Sequence, residues 1–96
     1  MTTGRVYAVT IELHEASDDR LVEVRRILER LGFHWQYGGL YFGGATINAV
    51  TCVMAAQELG RTLPWFTASA RDFRMLRIEE NNDLMLAVRQ AAGNDA

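Results

Sequence analysis

The sequence predicts an α+β domain in which four strands and two helices follow one another as β-α-β-β-α-β, with a short C-terminal tail. Three observations carry that expectation: two-residue alternation over Val6–Leu13 and again over Arg71–Glu79, helical spacing of apolar residues in two intervening segments, and a glycine pair between two short aromatic runs. Length agrees, because 96 residues supply one core rather than two. A single domain is expected over 1–96, with its core at about 5–80 and its tail at 81–96.

In the first strand Tyr7, Val9, Ile11 and Leu13 share one face, and Val6, Ala8, Thr10 and Glu12 share the other. Ser17, Asp18 and Asp19 supply N-cap and first-turn chemistry, and Leu21, Val24, Leu28 and Leu31 recur at helical spacing until Gly32 ends the first helix. Phe33–Tyr37 and Leu40–Phe42 read as the second and third strands, joined by Gly38-Gly39, a pair free to take positive φ in a tight hairpin. After Gly43-Gly44, Thr46 is placed to cap a second helix that runs through Ala49, Val50, Cys52, Val53, Met54, Ala56 and Leu59 to Gly60. This helix is apolar around most of its circumference, so it needs cover beyond the sheet. Pro64 and Trp65-Phe66 form a connector, Arg71–Glu79 alternates as the fourth strand, and Asn82 or Asp83 caps a short helix through Leu84, Met85 and Val88. The last few residues are expected to fray. The order is that of the split βαβ, ferredoxin-like arrangement, an antiparallel sheet with strands in the spatial order 4-1-3-2, both helices on one face and the other face bare.

Composition bounds the function. With 49% hydrophobic and 23% charged residues the chain can build a core and is not disordered. A net charge of −2 argues against a basic coat for non-specific duplex binding, while the cations, all arginine, favour forked planar contacts at a local patch. Lone Cys52 forms no internal disulfide and no charged, apolar leader precedes the first strand, so the cytoplasm is the expected location. No apolar run approaches the roughly 20 residues that span a bilayer, and no membrane role is expected.

The topology brings three distant segments together. The end of strand one lies beside the start of strand four and the start of strand three, so Glu12, Asp72 and Arg74 should meet on the bare face, with the Gly38-Gly39 hairpin and Tyr41 at the same end and Arg71 and Arg77 adding positive charge. Two carboxylates, a guanidinium and a phenol suit general acid–base work on a phosphodiester, or a divalent metal held between carboxylate oxygens. Cross-strand acid–arginine pairs are also common structural ion pairs. His34 lies in a strand between two aromatic residues and faces away from them, and His14-Glu15 lacks the spacing of a zinc site. Trp35, Tyr37, Tyr41 and Phe42 can stack on unpaired bases or serve as core or dimer interface. A bare sheet face, a helix apolar nearly all round and an apolar tail together predict a C2 homodimer meeting through bare faces or strand-four edges.

Four stretches carry a resemblance. The run VYAVTIEL from Val6, the segment LGFHWQ from Leu31 leading to Tyr41-Phe42-Gly43, NAVTCVMAAQEL from Asn48 and, most specifically, PWFTASARDFRMLRIEENNDL from Pro64 resemble the virulence-associated protein D (VapD) family over nearly the whole chain. The resemblance implies a small homodimeric endoribonuclease with a ferredoxin-like core, related in fold to CRISPR adaptation nucleases and often the toxin of a toxin–antitoxin pair, with a protein antitoxin as partner. The family's acidic position closing strand one falls on Glu12, and the aspartate of its Arg-Asp motif falls on Asp72, flanked by Arg71 and Arg74. The family commonly has aspartate where this chain has Glu12, and often serine where it has Gly39; glutamate extends the carboxylate by one methylene, and glycine removes a possible phosphate donor. The expected chemistry is RNA cleavage with Glu12, Asp72 and Tyr41 as catalytic groups and Arg71, Arg74, Arg77 and Gly39 along the RNA. No cofactor is required, with Mg2+ as the alternative chemistry. The competing expectation is a non-catalytic dimer that binds RNA or protein, its chemistry lost through the Glu12 and Gly39 departures.

Overall fold

A computed structural model describes residues 6–93 of the chain. The start of the expected core at residue 5 and the expected fraying at 94–96 lie outside the described residues. The elements are β1 (Val6–Leu13), α1 (Asp18–Arg30), β2 (Phe33–Tyr37), β3 (Leu40–Gly43), α2 (Ala49–Thr62), α3 (Phe66–Ser69), β4 (Ala70–Ile78) and α4 (Met85–Gly93). The strands form one sheet in the order β2-β3-β1-β4, every neighbour antiparallel, which is the expected ferredoxin-like order read from the opposite edge.

Alternation decides which side of the sheet is covered. Val9 and Ile11 of β1, Phe33 of β2 and Tyr41 of β3 are buried against Val24 and Leu28 of α1 and Cys52, Ala55 and Leu59 of α2. With Ile47, Leu63 and Phe66 these side chains form one continuous apolar cluster, and burying each large one contributes on the order of 1.5–3 kcal/mol. Burial raises the Cys52 thiol above its ordinary pKa, so it stays protonated and serves as a small core residue.

Ser17 caps α1 as expected, its Oγ accepting from the Arg20 N–H at 3.3 Å, and Gly32 follows the last turn with φ 102°. The second helix departs from expectation at both ends. Its cap is Asn48 rather than Thr46: Asn48 Oδ1 accepts from the Thr51 N–H at 3.0 Å while Thr51 Oγ1 accepts from the Asn48 N–H at 2.7 Å, a reciprocal box. Ile47, buried just before it, draws the preceding segment into the core. Gly60 does not stop the helix, because the Glu58 carboxylate ties Arg61 at 2.7 Å and Thr62 at 2.9 Å, and α2 runs on to Thr62. The expected connector is partly helical, with Phe66 of α3 buried and its ring 6.0 Å from that of Phe73.

The tail forms its helix but buries none of it. Asp83 Oδ1 accepts from the Met85 N–H at 2.8 Å, one of the two caps expected there. The molecule measures 54 × 31 × 20 Å with a radius of gyration of 15.9 Å, against about 12–13 Å for a compact domain of this length. No described helix is long and apolar enough to cross a membrane.

Candidate active site

β1 and β4 pair along nearly their whole length, and that register sets the site. Thr10 is opposite Arg74, Ile11 opposite Phe73 and Glu12 opposite Asp72, after which the pairing jumps to Leu13 opposite Ala70. Arg71 is thus the extra residue of a β-bulge. Ser69 fixes it: the His14 N–H donates to the Ser69 carbonyl at 2.7 Å, and the Ser69 hydroxyl donates to the His14 carbonyl at 3.1 Å. Because Ile11 and Phe73 face the helices, Thr10, Glu12, Asp72 and Arg74 all face the bare side.

Two like-charged side chains stand directly opposite each other there, about 5 Å apart at Cβ, an arrangement that costs a sheet stability. A guanidinium offsets part of that cost. Arg74 Nε donates to Asp72 Oδ1 at 3.0 Å and Oδ2 at 2.9 Å, while Glu12 makes no such bond among the described residues. The two carboxylates are therefore not equivalent: Asp72 holds an arginine, and Glu12 is exposed. Both line a concavity of about 270 Å³ with Thr10, Leu40, Tyr37 and the Gly38-Gly39 turn.

The remaining expected site residues divide. Arg71 is exposed beside Asp72 at the bulge. Tyr41 is at the right end of the sheet but on the wrong side. It pairs with Val9, is buried among the helices, and its phenol is raised above its ordinary pKa by burial, with a hydrogen bond and charge from Arg25 acting in the other direction. Arg77 pairs with Tyr7 on the helix side, five residues along β4 from Asp72 or roughly 17 Å at the usual strand rise, and reaches Glu79 at 3.4 Å. Gly39 borders the concavity through its backbone alone: the Ile11 N–H donates to its carbonyl at 2.9 Å, and a Cβ there would overlap the Ile11 carbonyl oxygen. No hydroxyl-bearing side chain fits that position on this backbone.

The phenol on the bare face is Tyr37. Simple alternation puts it on the same side as Trp35, but the pairing slips between them, Trp35 opposite Tyr41 and Tyr37 opposite Leu40, so that Gln36 is taken up in a bulge and Tyr37 turns to the open side. The sequence signal was the adjacent glycine pair, since short hairpins with Gly commonly carry a bulge. Gly38 has φ 53° and lets the strand turn there. Among the described residues no group of three or more His, Cys, Asp or Glu side chains comes together to hold a metal ion, so the expected Mg2+ alternative would rest on the Glu12 and Asp72 carboxylates alone.

An antiparallel sheet clad with helices on one side, and carrying opposed carboxylates and a forked arginine on the other, defines a small ferredoxin-like protein with an open acid–guanidinium site. No family model matches the chain. Among curated proteins, the endoribonuclease VapD homolog of Helicobacter pylori is 52% identical over 67 residues, 70% of each chain. Endoribonuclease VapD 2 of Riemerella anatipestifer is 58% identical over 57 residues, 59% of this chain and 61% of its own length. Endoribonuclease VapD of Dichelobacter nodosus is 26% identical over 95 residues, 90% of this chain and 100% of its own length. This chain belongs to the VapD endoribonuclease family.

Proposed function

We propose that this chain is an endoribonuclease whose site is the Glu12–Asp72–Arg74 cluster on the open sheet face. The observation that carries the reading is the direct opposition of Glu12 and Asp72 at a solvent-open concavity, with a guanidinium forked onto one of them. Like charges are rarely set face to face in a sheet for stability's sake, and sites that break a local rule are commonly functional. The family names support RNA as substrate.

In this reading Glu12 accepts the proton of a ribose 2′-hydroxyl as its oxygen attacks the adjacent phosphorus. Asp72 holds Arg74 so that its remaining N–H groups meet the phosphoryl oxygens where negative charge builds, and Arg71 lies beside them. Breaking the P–O5′ bond gives a 2′,3′-cyclic phosphate and a 5′-oxygen that takes its proton from water on this open face, Tyr41 being on the far side of the sheet. The route uses side chains and solvent water, with no step assigned to a metal ion. Incubating the purified chain with a defined RNA, with and without EDTA, tests it: cleavage that survives the chelator is expected, loss of cleavage assigns the water or phosphate to a bound divalent ion, and salt-sensitive RNA binding with no cleavage between about pH 5 and 9 favours the non-catalytic module.

The reading extends to a homodimer. Val50, Val53 and Met54 of α2, Met75 of the edge strand β4, and Leu84, Met85, Leu86 and Val88 in and before α4 are all exposed. That is more apolar surface than a small monomer usually leaves in water, and it lies on α2, at Met75 of the β4 edge and in the tail, which favours those over the open face as the meeting surface. Sedimentation at micromolar concentration is expected to show twice the chain mass; a species of 10.8 kDa would remove the dimer. A toxin's role in the cytoplasm, restrained by a protein antitoxin, is the remaining part of the proposal and is supported by the family resemblance.

A further inference from the structure

The strand registers join into a row that crosses the whole sheet. Tyr37 of β2 is opposite Leu40 of β3, Leu40 is opposite Thr10 of β1, and Thr10 is opposite Arg74 of β4. All four side chains face the open side. At about 4.8 Å per strand, Leu40 is roughly 10 Å from Arg74, so an aromatic and apolar half and a cationic half of one row lie a nucleotide's reach apart. Glu12 and Asp72 form the next row toward the strand ends, beside the cationic half.

Tyr37 is 70% exposed, the most exposed of the large hydrophobic side chains among the described residues. Its backbone is nonetheless held. Trp35 Nε1 donates to the Gly38 carbonyl at 2.9 Å, the Arg25 guanidinium lies 3.8 Å from the centre of the Trp35 ring, and Gln36 Nε2 donates to the His34 carbonyl at 3.0 Å. The strand end is thus braced from the helix side while the Tyr37 ring stands free above Leu40. An exposed aromatic ring on a braced strand end, beside apolar Leu40 and bordering a concavity of about 270 Å³, is the chemistry that receives a flat, unpaired nucleobase.

We propose that Tyr37 and Leu40 form a nucleobase-stacking subsite for the nucleotide next to the scissile phosphate, which makes RNA with an unpaired base at the cleavage position the substrate class. The proposal rests on the RNA-cleavage reading for the phosphate's location, and it implies that a base locked in a duplex is excluded, because its faces are already stacked. Sequence preference is then weak, since every base offers a π face.

Binding tests it apart from catalysis. A 2′-O-methyl oligonucleotide has no free 2′-hydroxyl to attack with, so its affinity for the chain reports binding without cleavage, read by fluorescence anisotropy, and the difference between variants at Tyr37 reports the subsite. Tyr37→Ala is expected to weaken binding of the single strand about 10-fold or more, Tyr37→Phe to stay within about twofold of wild type, and the same sequence in a duplex to bind the wild type and the Ala variant equally. Wild-type and Tyr37→Ala chains should also bind equally to a strand of abasic nucleotides. An Ala variant that binds the single strand within twofold of wild type overturns the proposal. So does a Phe variant as impaired as Ala, which would assign the hydroxyl rather than the ring, and so does a wild type that does not bind the single strand. Cleavage of the unmodified strand by the wild type, scored separately, decides the RNA-cleavage reading without bearing on the stacking result.

Discussion

Glu12→Gln is expected to lower kcat at least 100-fold while leaving the protein as stable as the wild type or slightly more so. The two directions follow from one geometry. Removing a positioned general base typically costs 100- to 10,000-fold, and glutamine keeps the size and exposure of the side chain, so little else changes. Glu12 also stands directly opposite Asp72, and like charges so placed are destabilising by roughly 0.2–1 kcal/mol, which the neutral amide relieves. Rate and melting temperature measured on the same preparation check both halves. A Gln variant with wild-type turnover would remove Glu12 from the mechanism. Asp72→Asn is the companion: it weakens the fork that holds Arg74 at 2.9 and 3.0 Å and is expected to lower kcat about 10-fold or more with little change in fold.

Gly39→Ala is expected to cost about 3 kcal/mol, which for a domain of this length lowers the melting temperature by roughly 10–20 °C. The new Cβ would overlap the Ile11 carbonyl oxygen, and both partners are backbone, Ile11 in β1 and Gly39 in the turn whose carbonyl accepts from the Ile11 N–H, so no side chain can swing away to make room. Gly38→Ala next door serves as the control. Its Cβ meets nothing within 4 Å, and the cost is confined to a φ of 53°, on the order of 1 kcal/mol. Gly39→Ser is expected to behave as Gly39→Ala, losing stability and activity together rather than restoring a phosphate donor. A Gly39 variant that melts with the wild type would show that the hairpin shifts to accommodate it.

The fold was legible because its signals are local. Alternation over Val6–Leu13 and helical spacing from Leu21 to Leu28 each report one element, and their order then leaves few topologies open. The meeting of Glu12 with Asp72 was legible too, since it needs only antiparallel neighbours and a shared parity. Tyr41 falls on the helix side because it pairs with Val9, and Tyr37 turns to the open side because a single extra residue at Gln36 inverts the alternation of β2; both depend on cross-strand register. The cap at Asn48 rather than Thr46 was hidden for a related reason: both residues can cap, and the burial of Ile47, a tertiary effect, chooses between them. Arg77 was placed by nearness in sequence, which along a strand means distance in space.

The pairing of β1 with β4 also fixes when the site comes into being. Its two carboxylates belong to the first and last strands of the sheet, so their meeting is among the most sequence-distant contacts the chain makes, and such contacts close late in folding because the loop between them must be ordered first. A chain emerging from the ribosome presents Glu12 early and has no partner for it until β4 has also been released. For a protein that cuts RNA, the message under translation is the nearest substrate of all. The order of strands therefore delays assembly of the proposed site until β4 is released, and a circular permutant that places β4 immediately before β1 is expected to assemble it earlier while keeping the same native pairing.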